Sequence, residues 1–148
     1  MRLKPNTLIV VAGPTASGKT ALAIQIAKAV DGEIVSADSM QIYRGVDIAT
    51  AKPTPEELAA VPHHLIGFLP MDRAFSVADY AELARKEIND ILSRGKVPVL
   101  CGGTGLYIKA IVDNVQYSEA ITGDEELRER LRQLAEREGN DALWRRLE

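Results

Sequence analysis

Residues Gly13, Pro14, Thr15, Ala16, Ser17, Gly18, Lys19 and Thr20 read GPTASGKT, the G-x-x-x-x-G-K-S/T spacing of a phosphate-binding loop. The chemistry requires each part. Backbone amides wrap an anion, and Gly13 and Gly18 are read as the points where a side chain would obstruct that wrapping. The Lys19 ammonium reaches terminal phosphate oxygens, and the Thr20 hydroxyl suits a Mg²⁺ ligand. The anion this calls for is a di- or triphosphate. Two further places invite chemistry. Asp38 follows an apolar run, where it could hold Mg²⁺ through water, serve as a general base on an acceptor, or simply cap a turn. Gly102-Gly103-Thr104-Gly105 follows a second apolar run; alone it is a weak signal, and at a strand end it reads as a second anion- or base-contacting turn.

These residues need elements that bring them to one side of a sheet. Leu8 to Ala12 form an apolar run before the loop, giving a strand over 7–12, and Ala21 to Ala27 begin a helix over 18–30. Asp31-Gly32 ends that helix, with the glycine expected as the left-handed cap. A second strand covers Glu33 to Ala37, a short helix follows Thr54, and a third strand is expected over His64 to Phe68. Ser76 caps a helix over 76–93, with Val77, Tyr80, Ala81, Ala84, Ile88, Ile91 and Leu92 as its apolar stripe and Gly95 as its stop. Val97 to Leu100 form a fourth strand, and helices follow from Leu106 to about Val112 and near 124–138. Strand–helix alternation of this kind specifies an α/β fold, a three-layer sandwich around a mainly parallel sheet of the P-loop NTPase type. In such sheets ligands bind beyond the carboxyl ends of the strands, which assigns the loop, Asp38 and Thr104 to one crevice.

Composition sets the bounds. The chain has 148 residues, 46% hydrophobic and 26% charged, with a net charge of −3, which suits a single globular domain over 1–148 and argues against a blanket electrostatic grip on nucleic acid. The lone Cys101 excludes an internal disulfide and, with no spanning run or leader pattern, leads to a cytoplasmic expectation. Cys101 itself reads as a buried strand thiol. Adjacent His63 and His64 point opposite ways on an extended strand, which argues against a two-histidine metal site. Arg44 and Lys52 could steer RNA phosphates, whereas the Arg and Glu residues of 125–138 interleave as an ion-paired helix surface.

Taken in order, GPTASGKTALAIQIA, SADSMQIYRGVDIATAKP, PHHLI, FSVADYAELARKEI and VPVLCGGTGLYIKA resemble the tRNA dimethylallyltransferase family, also called tRNA isopentenyltransferases, from about Leu8 to Asn114. The first string is unspecific; the others joined in order are highly specific. The resemblance implies transfer of a dimethylallyl group from dimethylallyl diphosphate to N6 of an adenine beside the anticodon of tRNA, with release of diphosphate. It implies that Thr15 to Thr20 line the donor site, that Asp38 accepts the N6 proton, and that Thr104 contacts the acceptor. Asp38, Ser39, Met40, Gln41 and Thr104 would touch the tRNA, Mg²⁺ would sit at Thr20, and the chain would work as a monomer.

Two positions depart from the family pattern: Gly67, where an aspartate is common, and Ala49, where a glycine is frequent. Family chains also continue well past residue 148, with further helices, a stem-gripping insertion and a diphosphate-binding arginine. The expectation is therefore a catalytic core apparently truncated at its C-terminus. A small P-loop kinase using ATP, with Asp38 serving a hydroxyl acceptor, and a non-catalytic remnant that only binds diphosphate or nucleotide stand as alternatives.

Overall fold

A computed structural model describes residues 4–47, 50–117 and 125–146. The chain divides into two compact units, Met1–Gln116 and Tyr117–Glu148. The first unit carries the sheet. Its strands are β1 (Ile9–Ala12), β2 (Gly32–Ser36), β3 (His63–His64) and β4 (Val97–Gly102), and its helices are α1 (Lys19–Val30), α2 (Pro55–Ala60), α3 (Val77–Ser93) and α4 (Gly105–Val112). Strand order is β1-β4-β2-β3, and every pairing is parallel. This is the expected P-loop-like α/β architecture. Because β4 lies between β1 and β2, the turns leaving those three strands emerge side by side.

Period-two alternation builds the three layers. Val11, Ile34, Val99 and Cys101 turn to one face, where they meet Ala23, Ile24 and Ala27 of α1. Val35, Ala37 and Leu100 turn to the other and meet Tyr80, Ala84, Ile88 and Ile91 of α3 and Tyr107 of α4. Tyr80 and Tyr107 stack with centroids 3.9 Å apart and ring planes 7° apart. The Tyr80 hydroxyl, fully buried, donates to the Ser36 carbonyl at 3.0 Å and so ties α3 to the end of β2.

Local signals place the helix starts. Ser76 and Asp79 form a capping box at the head of α3, and Thr54 and Glu57 form another at α2. Gly95, at φ 74°, follows α3 as expected. At the end of α1 the roles differ from expectation. Asp31 takes the left-handed conformation (φ 50°), and Gly32 instead begins β2, where an added Cβ would lie 2.5 Å from the Val97 carbonyl oxygen. The glycine is required for close strand approach, not for the cap.

The third strand also needs correction. It is His63–His64, shorter and earlier than the 64–68 expected. Leu65 (φ 61°) and Gly67 (φ 58°) turn the chain out of the extended region, and Phe68 packs edge-on against Phe75. The two histidines do diverge: the His63 ring bonds the Val61 carbonyl at 2.9 Å, while His64 reaches Glu33 at 2.8 Å and Glu87 at 3.0 Å.

The second unit consists, among the described residues, of α5 (Glu125–Glu138) and α6 (Asn140–Trp144), which pack on each other. Sequence periodicity gave no sign of α6. Exposed pairs such as Arg132–Glu129 at 3.5 Å and Arg137–Glu138 at 2.9 Å match the ion-paired surface read from α5.

Candidate functional site

The loop after β1 runs from Gly13 into α1. Ala16 (φ 62°) and Gly18 (φ 80°) both adopt left-handed backbone, which turns successive amides toward a common point. Around Gly18 an added Cβ would meet no atom within 4 Å, so its requirement is the dihedral itself and not crowding by the protein. Among the described residues no side chain caps α1, and its first turn holds no acid, so the amides there remain available to an anion. Lys19 Nζ donates to the Pro14 carbonyl at 3.0 Å and is placed over its own loop.

Asp38 lies just beyond β2. Its Oδ1 accepts from Met40 N at 2.9 Å and Gln41 N at 3.3 Å, which makes it the cap of a tight turn. No protein donor among the described residues reaches Oδ2. The turn cap therefore occupies one oxygen of the carboxylate and leaves the other.

The turn after β4 stitches these two together. Gly13 N donates to the Gly102 carbonyl at 3.3 Å, and Thr104 N donates to the Ala37 carbonyl at 3.1 Å. Thr104 Oγ1 accepts from Ser39 N at 2.9 Å and donates to Ser39 Oγ at 3.2 Å. Gly102 is packed so closely that a Cβ would sit 2.1 Å from the Ala37 carbonyl oxygen, and one on Gly103 would lie 3.1 Å from the Gly13 oxygen. The glycines of this turn thus let three strand ends close on one another. Cys101 lies beneath, its thiol pushed up to about 11 by burial, which keeps it protonated and inert at neutral pH.

The result is a cleft of about 240 Å³ lined by Thr15 to Ala21, Asp38, Gln41, Thr50, Ala51 and Glu57. Residues far apart in sequence, the phosphate loop and Asp38, share it. A larger hollow of about 560 Å³, lined by Arg44, Lys52, Pro53, Leu58, Ile66 and Gly67 among others, includes neither the loop nor Asp38, whereas the smaller cleft joins the two. Thr104, expected in the same crevice, does not line this cleft; it bonds Ser39, the chain neighbour of Asp38. Met40 is half exposed on the outside of the turn, and Gln41 faces inward. Sequence reasoning did not single out Thr50, Ala51 or Glu57, which line the cleft; Thr50 and Ala51 sit in the string SADSMQIYRGVDIATAKP, and Glu57 lies in the short helix expected after Thr54. Lys52 is spent internally, its Nζ on the Tyr43 carbonyl and on Asp47 at 2.7 Å, so it is not a free steering cation.

A family profile, IPPT, described as IPP transferase, matches residues 41–148. The chain belongs to the IPP transferase family. Its relatives include proteins named tRNA dimethylallyltransferase from Exiguobacterium sp., 52% identical over 98% of this chain, and from Bacillus subtilis, 49% identical over 95%. These alignments cover 46% and 44% of the relatives, so the chain spans under half the length of the curated proteins it matches. The full-length tRNA isopentenylpyrophosphate transferase of Bacillus halodurans superposes with a TM-score of 0.74 at 44% identity, covering 96% of this chain and 46% of that one. A eukaryotic dimethylallyltransferase described as acting on tRNA superposes with a TM-score of 0.72 at 31% identity, covering 81% of this chain and 31% of that one.

Proposed function

We propose that this chain carries the donor-binding and proton-accepting half of a tRNA prenyl transfer: a dimethylallyl group passes from dimethylallyl diphosphate to N6 of an adenine beside the anticodon. The observation that carries this reading is the single cleft shared by Lys19 and Asp38. A diphosphate presents the same anionic oxygens as the end of a nucleotide, so the amides of Thr15 to Thr20 and the Lys19 ammonium hold it equally well. Gly13 and Pro14 lead into that wrap.

Thr20 and Asp38 place hard oxygen donors on the same cleft, the donor class that suits Mg²⁺, and Thr20 is the residue assigned to hold it. When bound, the ion offsets negative charge on the departing diphosphate. The N6 lone pair forms the new C–N bond as the allylic C–O bond breaks, and diphosphate leaves with that electron pair. The N6 proton passes to Asp38, through the carboxylate oxygen not occupied by the turn. Thr104 acts from the second turn, holding Ser39 and with it the Asp38 carboxylate toward the acceptor base. RNA meets the outer side of the Asp38–Gln41 turn, where Met40 is exposed and Ser39 half-buried, and Gln41 closes the turn from within. Taking the base out of its stack costs on the order of a few kcal/mol, less in an unpaired loop. We assign this work to a monomer in the cytoplasm, with the 1–148 segment as its P-loop core.

The test is incorporation of labelled dimethylallyl group into an adenine-bearing anticodon stem-loop with Mg²⁺, using the chain as it stands and its Asp38→Asn variant. The reading expects label in RNA only when Asp38 is present. Diphosphate binding with no transfer under any condition points to a binding remnant, and ATP-dependent phosphorylation of a small acceptor points to a kinase.

A further inference from the structure

Gln41 is 8% exposed, and every polar group it owns is engaged inside the protein. Its main-chain N donates to Asp38 Oδ1 at 3.3 Å, and its carbonyl accepts from Gly67 N at 2.8 Å. The side-chain Nε2 donates to the carbonyls of Thr50 at 3.3 Å and Ala51 at 3.1 Å, and Oε1 accepts from Ser36 Oγ at 3.5 Å. Two carbonyls facing one end of the amide require the NH₂ there, which fixes the orientation of the group. One residue thus joins four separate pieces: the end of β2, the Asp38 turn, the Thr50–Ala51 segment and the turn at Gly67. Of these, Asp38, Thr50 and Ala51 line the cleft.

We propose that Gln41 is a positioning residue, which sets the Thr50–Ala51 wall against the Asp38 carboxylate and so fixes where an acceptor base can sit, without its side chain reading the RNA. A glutamine supplies what this requires and neighbouring residue types do not. Asparagine is one methylene too short to reach both carbonyls from the same backbone. Glutamate presents only acceptors to them at neutral pH, and methionine leaves both carbonyls unpaired. The inference rests on the prenyl-transfer reading for its consequence in the reaction, though not for its structural content.

The test uses Gln41→Glu and Gln41→Met in the same chain, with amide hydrogen exchange in the absence of RNA and steady-state transfer to the stem-loop. Positioning predicts that exchange at Gln41, Lys52 and Gly67 quickens by about tenfold or more in both variants, while amides in the middle of α3 keep their protection. It predicts a matching fall in kcat of about tenfold or more, with KM for RNA within about twofold. Unchanged exchange in the free variants, or a raised KM at intact kcat, would overturn the proposal in favour of direct RNA contact. Global unfolding of both variants would overturn it in favour of a general structural role. A wild-type chain that transfers no label defeats the prenyl-transfer reading alone, because the exchange measurement still decides what Gln41 does.

Discussion

Asp38 gives Oδ1 to two backbone amides, and no protein donor among the described residues takes Oδ2, the oxygen we propose for proton transfer. Asp38→Asn keeps the capping oxygen but removes the proposed proton acceptor. It should leave diphosphate affinity and thermal midpoint nearly unchanged while lowering transfer by about 10²–10⁴-fold, read by calorimetric titration and label incorporation. Lys19 makes the complementary prediction. Its resting bond to the Pro14 carbonyl is exposed and easily exchanged for a phosphate oxygen. Lys19→Ala should weaken binding of inorganic diphosphate by about 10–100-fold, the scale of one charge-assisted hydrogen bond, with folding intact. At this scale the loop residues and Asp38 were legible because glycine spacing and position after an apolar run constrain them strongly. The inward turn of Gln41 was not legible, since side chains in a tight turn follow no period and both faces of such a turn accept a polar residue.

Among the elements, the turn after β4 shows how packing sets residue choice. A Cβ at Gly102 would overlap the Ala37 backbone, which belongs to a neighbouring strand end and cannot yield without moving Asp38. Gly102→Ala should therefore destabilise the fold by about 2 kcal/mol in chemical denaturation, and the loss of transfer should exceed what the lost stability explains. Tyr80→Phe is a milder probe on the other face. It removes the hydroxyl from the buried Ser36 carbonyl and should cost about 1 kcal/mol while the stack on Tyr107 persists. Helix starts were readable because Ser76 and Thr54 carry capping chemistry three residues ahead of an acid. The third strand was misjudged: the run from His64 to Phe68 is apolar enough for a strand, and only Gly67 hinted at the left-handed turn that breaks it. Gly32 was read as a cap because its neighbour's φ is invisible to composition, whereas its true constraint comes from Val97, distant in sequence.

For the whole molecule, the end of the sheet away from the cleft carries an ionic cluster. Glu33 is buried, and the Arg94 guanidinium, 2.5 Å away and also tied to Asp90, draws its carboxyl down to about 2, with His64 and Lys96 assisting. The folded state therefore binds fewer protons than the unfolded one between about 2 and the usual 4.5, so this contribution is whole above 4.5 and drains away as pH falls. Burial lowers the pKa of His63 below its usual 6.5, and Nε2 of that ring has no partner among the described residues, so protonation there adds a further loss on acidification. The unfolding free energy from chemical denaturation should be lower at pH 3 than at pH 7 by on the order of 2 kcal/mol. Glu33→Gln should flatten that dependence while lowering stability at pH 7. The fold class and the family were legible in the sequence, because alternating elements and ordered motifs span most of the first unit. The division at residue 117 was not, since the helical pattern of α5 says nothing of what it packs against.

The proposed transfer requires one spatial relation: the loop around Lys19 must present an allylic diphosphate to the carboxylate at Asp38. A crystal structure of the chain with Mg²⁺ and dimethylallyl thiodiphosphate, which resists loss of its diphosphate, measures this directly. The account predicts both phosphoryl groups wrapped by the amides of Thr15 to Thr20, with the allylic carbon turned toward Asp38 and the Thr50–Ala51 wall. A diphosphate held elsewhere, or an allyl group directed away from Asp38 into solvent, would contradict it.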